Sequence, residues 1–209
     1  MPEQYSPRNT HFPRLFEPGF IGSLRLKNRI VMPPMGTNFA SDTGAVTQRT
    51  IEHYERRAKG GVGLIIVEFT CIDYPQGKGH SSQLALHDDK LLAGHSALVD
   101  AVHRAGAKIA IQLHHAGANT DRRRTENLEL VSPASIPSRP TESQPRILTV
   151  SEIEALVEKF ARAVERAQMA GYDAVELHGA HGYLIAEFMS PYINTRTDAY
   201  GGNLDKRMK

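Results

Sequence analysis

Gly60-Gly61-Val62-Gly63-Leu64-Ile65-Ile66-Val67-Glu68 decides the fold. No polar side chain interrupts the run from Val62 to Val67, and an unbroken apolar strand is one covered on both faces, as in a parallel sheet. The glycines stand before this strand and after a helix. Thr47 caps that helix, Ile51, Tyr54 and Ala58 share one of its faces, and Gly60-Gly61 ends it. A dinucleotide-binding turn needs G-x-G-x-x-G after a strand and before a helix, so the order here is the wrong one. Gly77-Lys78-Gly79 opens no helix, and the sequence contains no P-loop.

The same unit recurs along the chain. Asp88 or Asp89 starts a second helix with Leu91, Leu92, His95, Leu98, Val99 and Val102 at helical spacing; Gly106 lies past its end and a strand follows over Lys108–Leu113. Ser151 and Glu154 read as a capping box for a third helix, with Ile153, Leu156, Val157, Phe160, Val164 and Ala167 on its buried face and Gly171 at its end. A strand over Asp173–His178 and a short helix from Tyr183 complete the series. Upstream, Pro18-Gly19 and Gly22-Ser23 break residues 15–28 into a hairpin. Ile30-Val31-Met32 is a strand that Pro33-Pro34 must stop, because proline has no N–H to donate. Residues 1–14 are a polar lead-in, and residues 15–209 read as the N-terminal half of one domain, incomplete as it stands. Residues 115–150 are a long proline-bearing loop, and loops of that length in a compact domain are functional or disordered.

The order βαβαβαβ with apolar strands means a parallel α/β sheet, doubly wound or closed as a (β/α)8 TIM barrel. Chemistry favours the barrel. Each strand ends in something distinctive: Pro33-Pro34-Met35, then Glu68, then Gln112 with His114-His115, then His178 with His181. Barrel enzymes build their sites on that face. Four βα units are half of eight, so the first and fourth strands would each expose an edge, and self-association is expected.

Composition narrows the partners. The chain has 209 residues, 40% hydrophobic and 23% charged, with 25 basic and 23 acidic residues and a net charge of +2. That balance gives no reason to expect nucleic acid or an anionic membrane. No apolar run approaches the ~18 residues that span a bilayer. Cys71 is the one cysteine, which excludes a disulfide scaffold. No signal-peptide pattern opens the sequence, and the expectation is a reduced, cytoplasmic protein. Arg122-Arg123-Arg124 reads first as a solvated loop and second as a phosphate contact.

His178-Gly179-Ala180-His181-Gly182-Tyr183 carries the chemistry. Two imidazoles and a phenol just past a strand end can bind an oxyanion and move a proton. Plainer readings stand beside this one: a structural histidine pair, a packing tyrosine, and a core amide at Gln112. Zinc is disfavoured, since one Cys and no evident third ligand accompany the pair. His114, His115 and Glu68 read as structural, Cys71 as an inert buried thiol. Asn194, Arg196, Asp198, Tyr200, Gly201 and Gly202 read as fixing a tight loop.

Taken together, these pieces resemble the Old Yellow Enzyme family of FMN-dependent ene-reductases, (β/α)8 barrels that include 2,4-dienoyl-CoA reductases. The resemblance runs from Leu15 to Arg207. It rests on Leu26–Met35, Gly63–Thr70, Ile111–Gly117, Val131–Ser135 and, most specifically, His178–Gly202. Met32–Asn38 and Glu68-Phe69-Thr70 look closest to the longer, iron–sulfur-containing members. The resemblance implies an oxidoreductase that passes hydride from NAD(P)H through FMN to the C=C bond of an α,β-unsaturated carbonyl or an enoyl or dienoyl thioester. It implies flavin contacts at Pro33, Pro34, Met35, Gly36, Phe69 and Gln112, substrate contacts at His178 and His181, proton donation by Tyr183, and no metal site. Two positions depart from the family pattern. Gly36 cannot supply the flavin hydrogen bond that a Thr or Cys gives in many relatives, and Phe69 stands where a small residue is common. The phosphate-binding end of the barrel, a 4Fe-4S cluster and an FAD domain would all fall beyond Lys209. The alternative expectation is a non-catalytic half-barrel that needs a partner to fold.

Overall fold

The computed structural model describes residues 12–137 and 144–209. Most of the expected lead-in therefore lies outside the described residues, as does the middle of the proline-bearing loop.

The hairpin comes first, β1 (Gly19–Ile21) against β2 (Leu24–Leu26), antiparallel. It is followed by β3 (Val31–Met32), α1 (Gln48–Lys59), β4 (Leu64–Cys71), α2 (Leu92–Arg104), β5 (Lys108–His114), β6 (Val131–Ser132), β7 (Arg146–Ile147), α3 (Val150–Ala170), β8 (Ala174–Leu177), α4 (Leu184–Met189) and α5 (Leu204–Arg207). Strands β3, β4, β5 and β8 form one parallel sheet in that order. The expected hairpin and βα alternation are both present, and β3 and β8 are the two edges.

The two faces of the sheet separate a barrel from a doubly wound sheet, which carries helices on both faces. Ile65, Val67, Ile109, Ile111 and Leu113 share one core with Tyr54 and Ala58 of α1, Leu98, Val99 and Val102 of α2, and Ile153 and Leu156 of α3. All three helices thus cover the same face. On the other, Leu64 and Ala110 meet Leu26, with Leu24, Ile66 and Ala174 packed against them. This is the interior face of four barrel units, closed at its N-terminal end by the hairpin. Each fully buried Leu or Ile contributes about 1.5–3 kcal/mol.

Local chemistry sets the element ends. Thr47 caps α1 by accepting from the Thr50 N–H. Gly61, Gly106 and Gly171 take φ of +99°, +78° and +93°, a left-handed turn that glycine enters without a Cβ penalty. Asp88 caps a 3-10 turn over Asp89–Leu91 that leads into α2.

Three expectations need correction. The capping box of α3 is Thr149 with Glu152, not Ser151 with Glu154. Both pairs have the right spacing, but Thr149 has the extended backbone of a cap (φ −72°, ψ 163°) and Ser151 already lies in the first turn. Arg146 fixes the choice, bonding the same Glu152 at 2.7 and 2.9 Å. Second, Val157 and Val164 are 55% and 39% exposed; Ile153, Leu156, Ala163, Ala167 and Ala170 make the buried face instead. Third, the long loop carries β6 and β7, a parallel pair too short for periodicity to reveal.

His95 ties these layers together. Its Nε2 stands 3.0 Å from the Ala85 carbonyl, which can only accept, so Nδ1 accepts from the Tyr172 hydroxyl at 2.8 Å. Complete burial lowers its pKa to about 4.

Two measurements check this description. Thr149→Ala should destabilise the fold by about 0.5–2 kcal/mol in chemical denaturation, while Ser151→Ala should change it little. An unfolded histidine titrates near pH ~6.5 and folded His95 near about 4, so in that window the unfolded chain binds the extra proton. Stability should therefore fall as pH drops from ~6.5 toward 4. His95→Gln, which can keep both hydrogen bonds, should flatten that slope.

Candidate active site at the strand C-termini

The site begins with an irregularity in β4. Its register against β5 runs Val67 to Ile111 and then Thr70 to Leu113, so β4 holds one extra residue between them. Such a bulge re-aims side chains. Glu68 turns toward α1, where it bonds Tyr54. Phe69 turns toward the mouth of the interior face, with its ring 5.0 Å from His114, 5.1 Å from His80, 6.3 Å from His178 and 6.2 Å from Tyr183, nearly parallel to the last.

The segment after β8 is bolted to the end of β5. The His178 N–H bonds the Leu113 carbonyl at 3.0 Å, and the Leu184 N–H bonds the His115 carbonyl at 3.1 Å. Between them the chain reverses through His181 (φ +57°) and Gly182 (φ +72°). A left-handed backbone is uncommon for a residue with a side chain; the Asn119 amide holds the His181 carbonyl at 2.8 Å. Tyr183 then stands at the start of α4 in extended conformation.

The rings converge. Tyr183 lies 4.3 Å from His114, 4.9 Å from His178 and 6.4 Å from His181, centroid to centroid, and His178 lies 5.1 Å from His181. His178 is 6% exposed. Burial holds its pKa below the usual value, nearby His181 adds to that, and Glu176 opposes it. The Ala180 N–H donates to His178 Nδ1 at 3.3 Å, which leaves Nε2–H as the donor of the neutral ring.

Sequence reasoning missed His114. Its side chain is fully buried, and neither ring nitrogen has a hydrogen-bond partner among the described residues. Burial drives its pKa well below the usual value, reinforced by His115, His178 and His80, so it is a neutral imidazole. The signal was available: residues two apart on a strand share a face, so His114 follows Gln112 into the interior. His115 points the other way, accepting from the Gly117 N–H at 3.1 Å and lying 3.8 Å from Asp73, which Lys159 pairs at 2.7 Å.

The remaining candidates sit around this cluster. Gln112 is 7% exposed and donates to Glu176 Oε1 at 2.6 Å. Pro33, Met35 and Gly36 are exposed and Pro34 is half-buried, just beyond β3. A Cβ on Gly36 would stand 2.6 Å from the Phe69 ring. A bare backbone at 36, a cluster of aromatic rings, an interior amide and an imidazole whose nitrogens have no partner among the described residues fit a flat heteroaromatic cofactor with polar edges.

Other groups serve structure. Arg122 and Arg124 donate to the Asn127 and Gly79 carbonyls, and Arg123 pairs with Asp121, in keeping with a surface loop. Asn194 donates to the Phe188 and Tyr200 carbonyls, and Arg196 to that of Leu148. Cys71 is buried and its thiol is pushed up to about 12. Among the described residues no group of three or more His, Cys, Asp or Glu could hold a metal, and no helix is long and apolar enough to cross a membrane.

Known proteins resemble this chain in sequence and fold. The NADH oxidase of Thermoanaerobacter brockii is 54% identical over 200 residues, 96% of this chain and 31% of that protein. The NADPH dehydrogenase of Clostridium acetobutylicum is 41% identical over 94% of this chain and 57% of its own length. Morphinone reductase superposes with a TM-score of 0.87 at 32% identity, over 92% of this chain and 55% of that one. The Old Yellow Enzyme of a Pichia species gives 0.85 at 29%, over 93% and 53%. The chain thus spans between about a third and somewhat over half of these relatives, and its fold is that of part of a (β/α)8 barrel. The model of the NADH:flavin oxidoreductase / NADH oxidase family matches residues 14–209, and the chain belongs to that family.

Proposed function

We propose that this chain carries the substrate side, and part of the flavin side, of an FMN-dependent NAD(P)H oxidoreductase. Its substrate is the activated C=C bond of an α,β-unsaturated carbonyl or an enoyl or dienoyl thioester. The observation that carries this reading is Tyr183 standing within 5 Å of both His114 and His178, with His181 alongside.

When bound, FMN supplies the hydride chemistry that side chains lack. Pro33, Pro34, Met35 and Gly36 would hold it through their backbone, with Phe69 at its edge and Gln112 at its pyrimidine, where an amide both donates and accepts. The protein's own part is electrostatic. As the β-carbon is reduced, negative charge builds on the carbonyl oxygen. His178 and His181 donate to that oxygen, each worth roughly 3–4 kcal/mol when well placed. Burial keeps His178 a neutral donor, so it retains its proton. Tyr183 gives its phenolic proton to the α-carbon as general acid. Any 4Fe-4S cluster or FAD would be held outside this chain, and the cytoplasm is the compartment that suits a nicotinamide-dependent protein with a single buried thiol.

A second reading, a half-barrel that needs a partner, is favoured by one surface. An apolar cavity of about 370 Å³ runs between Val157, Phe160, Leu177, Ile185, Phe188 and Met189, beside the unpaired edge of β8. Both readings lead to association through that edge.

In the longest natural reading frame containing this chain, Tyr183→Phe should slow alkene reduction by about 10²–10⁴-fold and leave flavin reduction by NAD(P)H unchanged in stopped-flow. Equal slowing of both half-reactions would remove Tyr183 as proton donor. The 209-residue chain itself should run as a dimer or larger by light scattering at micromolar concentration; a clean monomer would contradict the reading of its open edge.

A further inference from the structure

We infer that the β4 bulge is a clamp on the segment Met35–Thr37, with Glu68 and Phe69 as positioning residues that hold this backbone from its two sides. The inference rests on the flavin-binding reading of that segment.

Glu68 is the first jaw. It is 1% exposed, and a buried carboxyl is costly unless its oxygens are used. Here one oxygen joins three elements. Oε2 accepts the Thr37 N–H at 2.8 Å and the Tyr54 hydroxyl at 3.2 Å, and Tyr54 accepts the Glu68 N–H at 2.9 Å. The connection beyond β3 is thereby tied through β4 to α1. An apolar side chain would fill this space equally well but leave the Thr37 N–H without its acceptor. Burial raises the carboxyl's pKa, while the bonds from Thr37 and Tyr54 oppose that rise.

Phe69 is the second jaw. Its ring lies where a side chain on residue 36 would begin, 2.6 Å from the position of a Cβ. Gly36 has no left-handed backbone that demands glycine; the Phe69 ring alone keeps the position bare. Both jaws arise from one inserted residue: the slip between Val67 and Thr70 turns Glu68 toward the helix layer and Phe69 toward the interior, the reverse of strict alternation.

The test combines amide exchange at Thr37 with FMN titration, in the longest natural reading frame containing this chain. Glu68→Leu should speed Thr37 exchange by about ten- to a hundredfold and weaken FMN binding by a similar factor. Glu68→Gln, which keeps an acceptor oxygen, should rescue both. Tyr54→Phe should give an intermediate result and stands in if Glu68→Leu fails to fold. Gly36→Ala should weaken FMN binding, and in a Phe69→Ala background the same substitution should cost less. If the wild type binds FMN and Glu68→Leu leaves both Thr37 exchange and affinity unchanged, the clamp is overturned. If the wild type binds no FMN, the flavin reading fails, and Thr37 exchange alone decides the clamp.

Discussion

The pairing of β4 with β5, and the single residue by which it slips, is the constraint on which the rest depends. Their parallel ladder sets Ile65, Val67, Ile109, Ile111 and Leu113 against all three long helices. One residue of slip then turns Glu68 to the helix layer and Phe69 to the interior. Without the slip, strict alternation would send Glu68 into the interior and Phe69 into the helix layer, a charge and a ring each in the wrong solvent.

The site follows from what burial does to imidazole. His114 and His178 both sit where the charged form is penalised. A cluster of neutral rings donates hydrogen bonds without repelling itself, and several imidazolium ions within about 5 Å could not share the space. Donors fixed before the reaction are worth more than donors that must reorient. In the proposed function His178 and His181 are such donors, and the left-handed turn at His181 and Gly182, with the bonds that seat residues 178–184 on β5, holds them in place.

Much of this was legible in the sequence. The apolar run Leu64–Val67, the helix-ending glycines and the Thr47 cap are local signals, and each fixed its element. The part of the cluster formed by His178, His181 and Tyr183 was legible because these residues are close in sequence as well as in space. What stayed hidden depends on pairing over distance. The choice between Thr149 and Ser151 as cap was settled by Arg146, from a neighbouring strand. The exposure of Val157 and Val164 was invisible to helical periodicity, which counts apolar positions but not which flank has a neighbour. The bulge has no composition signature, so the opposed directions of Glu68 and Phe69, and with them the reason Gly36 is bare, came only from the register. His114 was passed over because histidines are common in cores, although its place two residues beyond Gln112 on one strand marked it.

The most direct test of the central claim, that these strand ends form one side of a flavin site, is flavin absorbance after removal of excess FMN. It should be recorded on the longest natural reading frame containing this chain and on its Gln112→Leu variant. The account predicts one retained FMN per wild-type chain, with a perturbed spectrum, and weaker retention in the variant, which has lost the amide inside the barrel. Colourless wild-type protein, or a variant that holds FMN as tightly as the wild type, would contradict it.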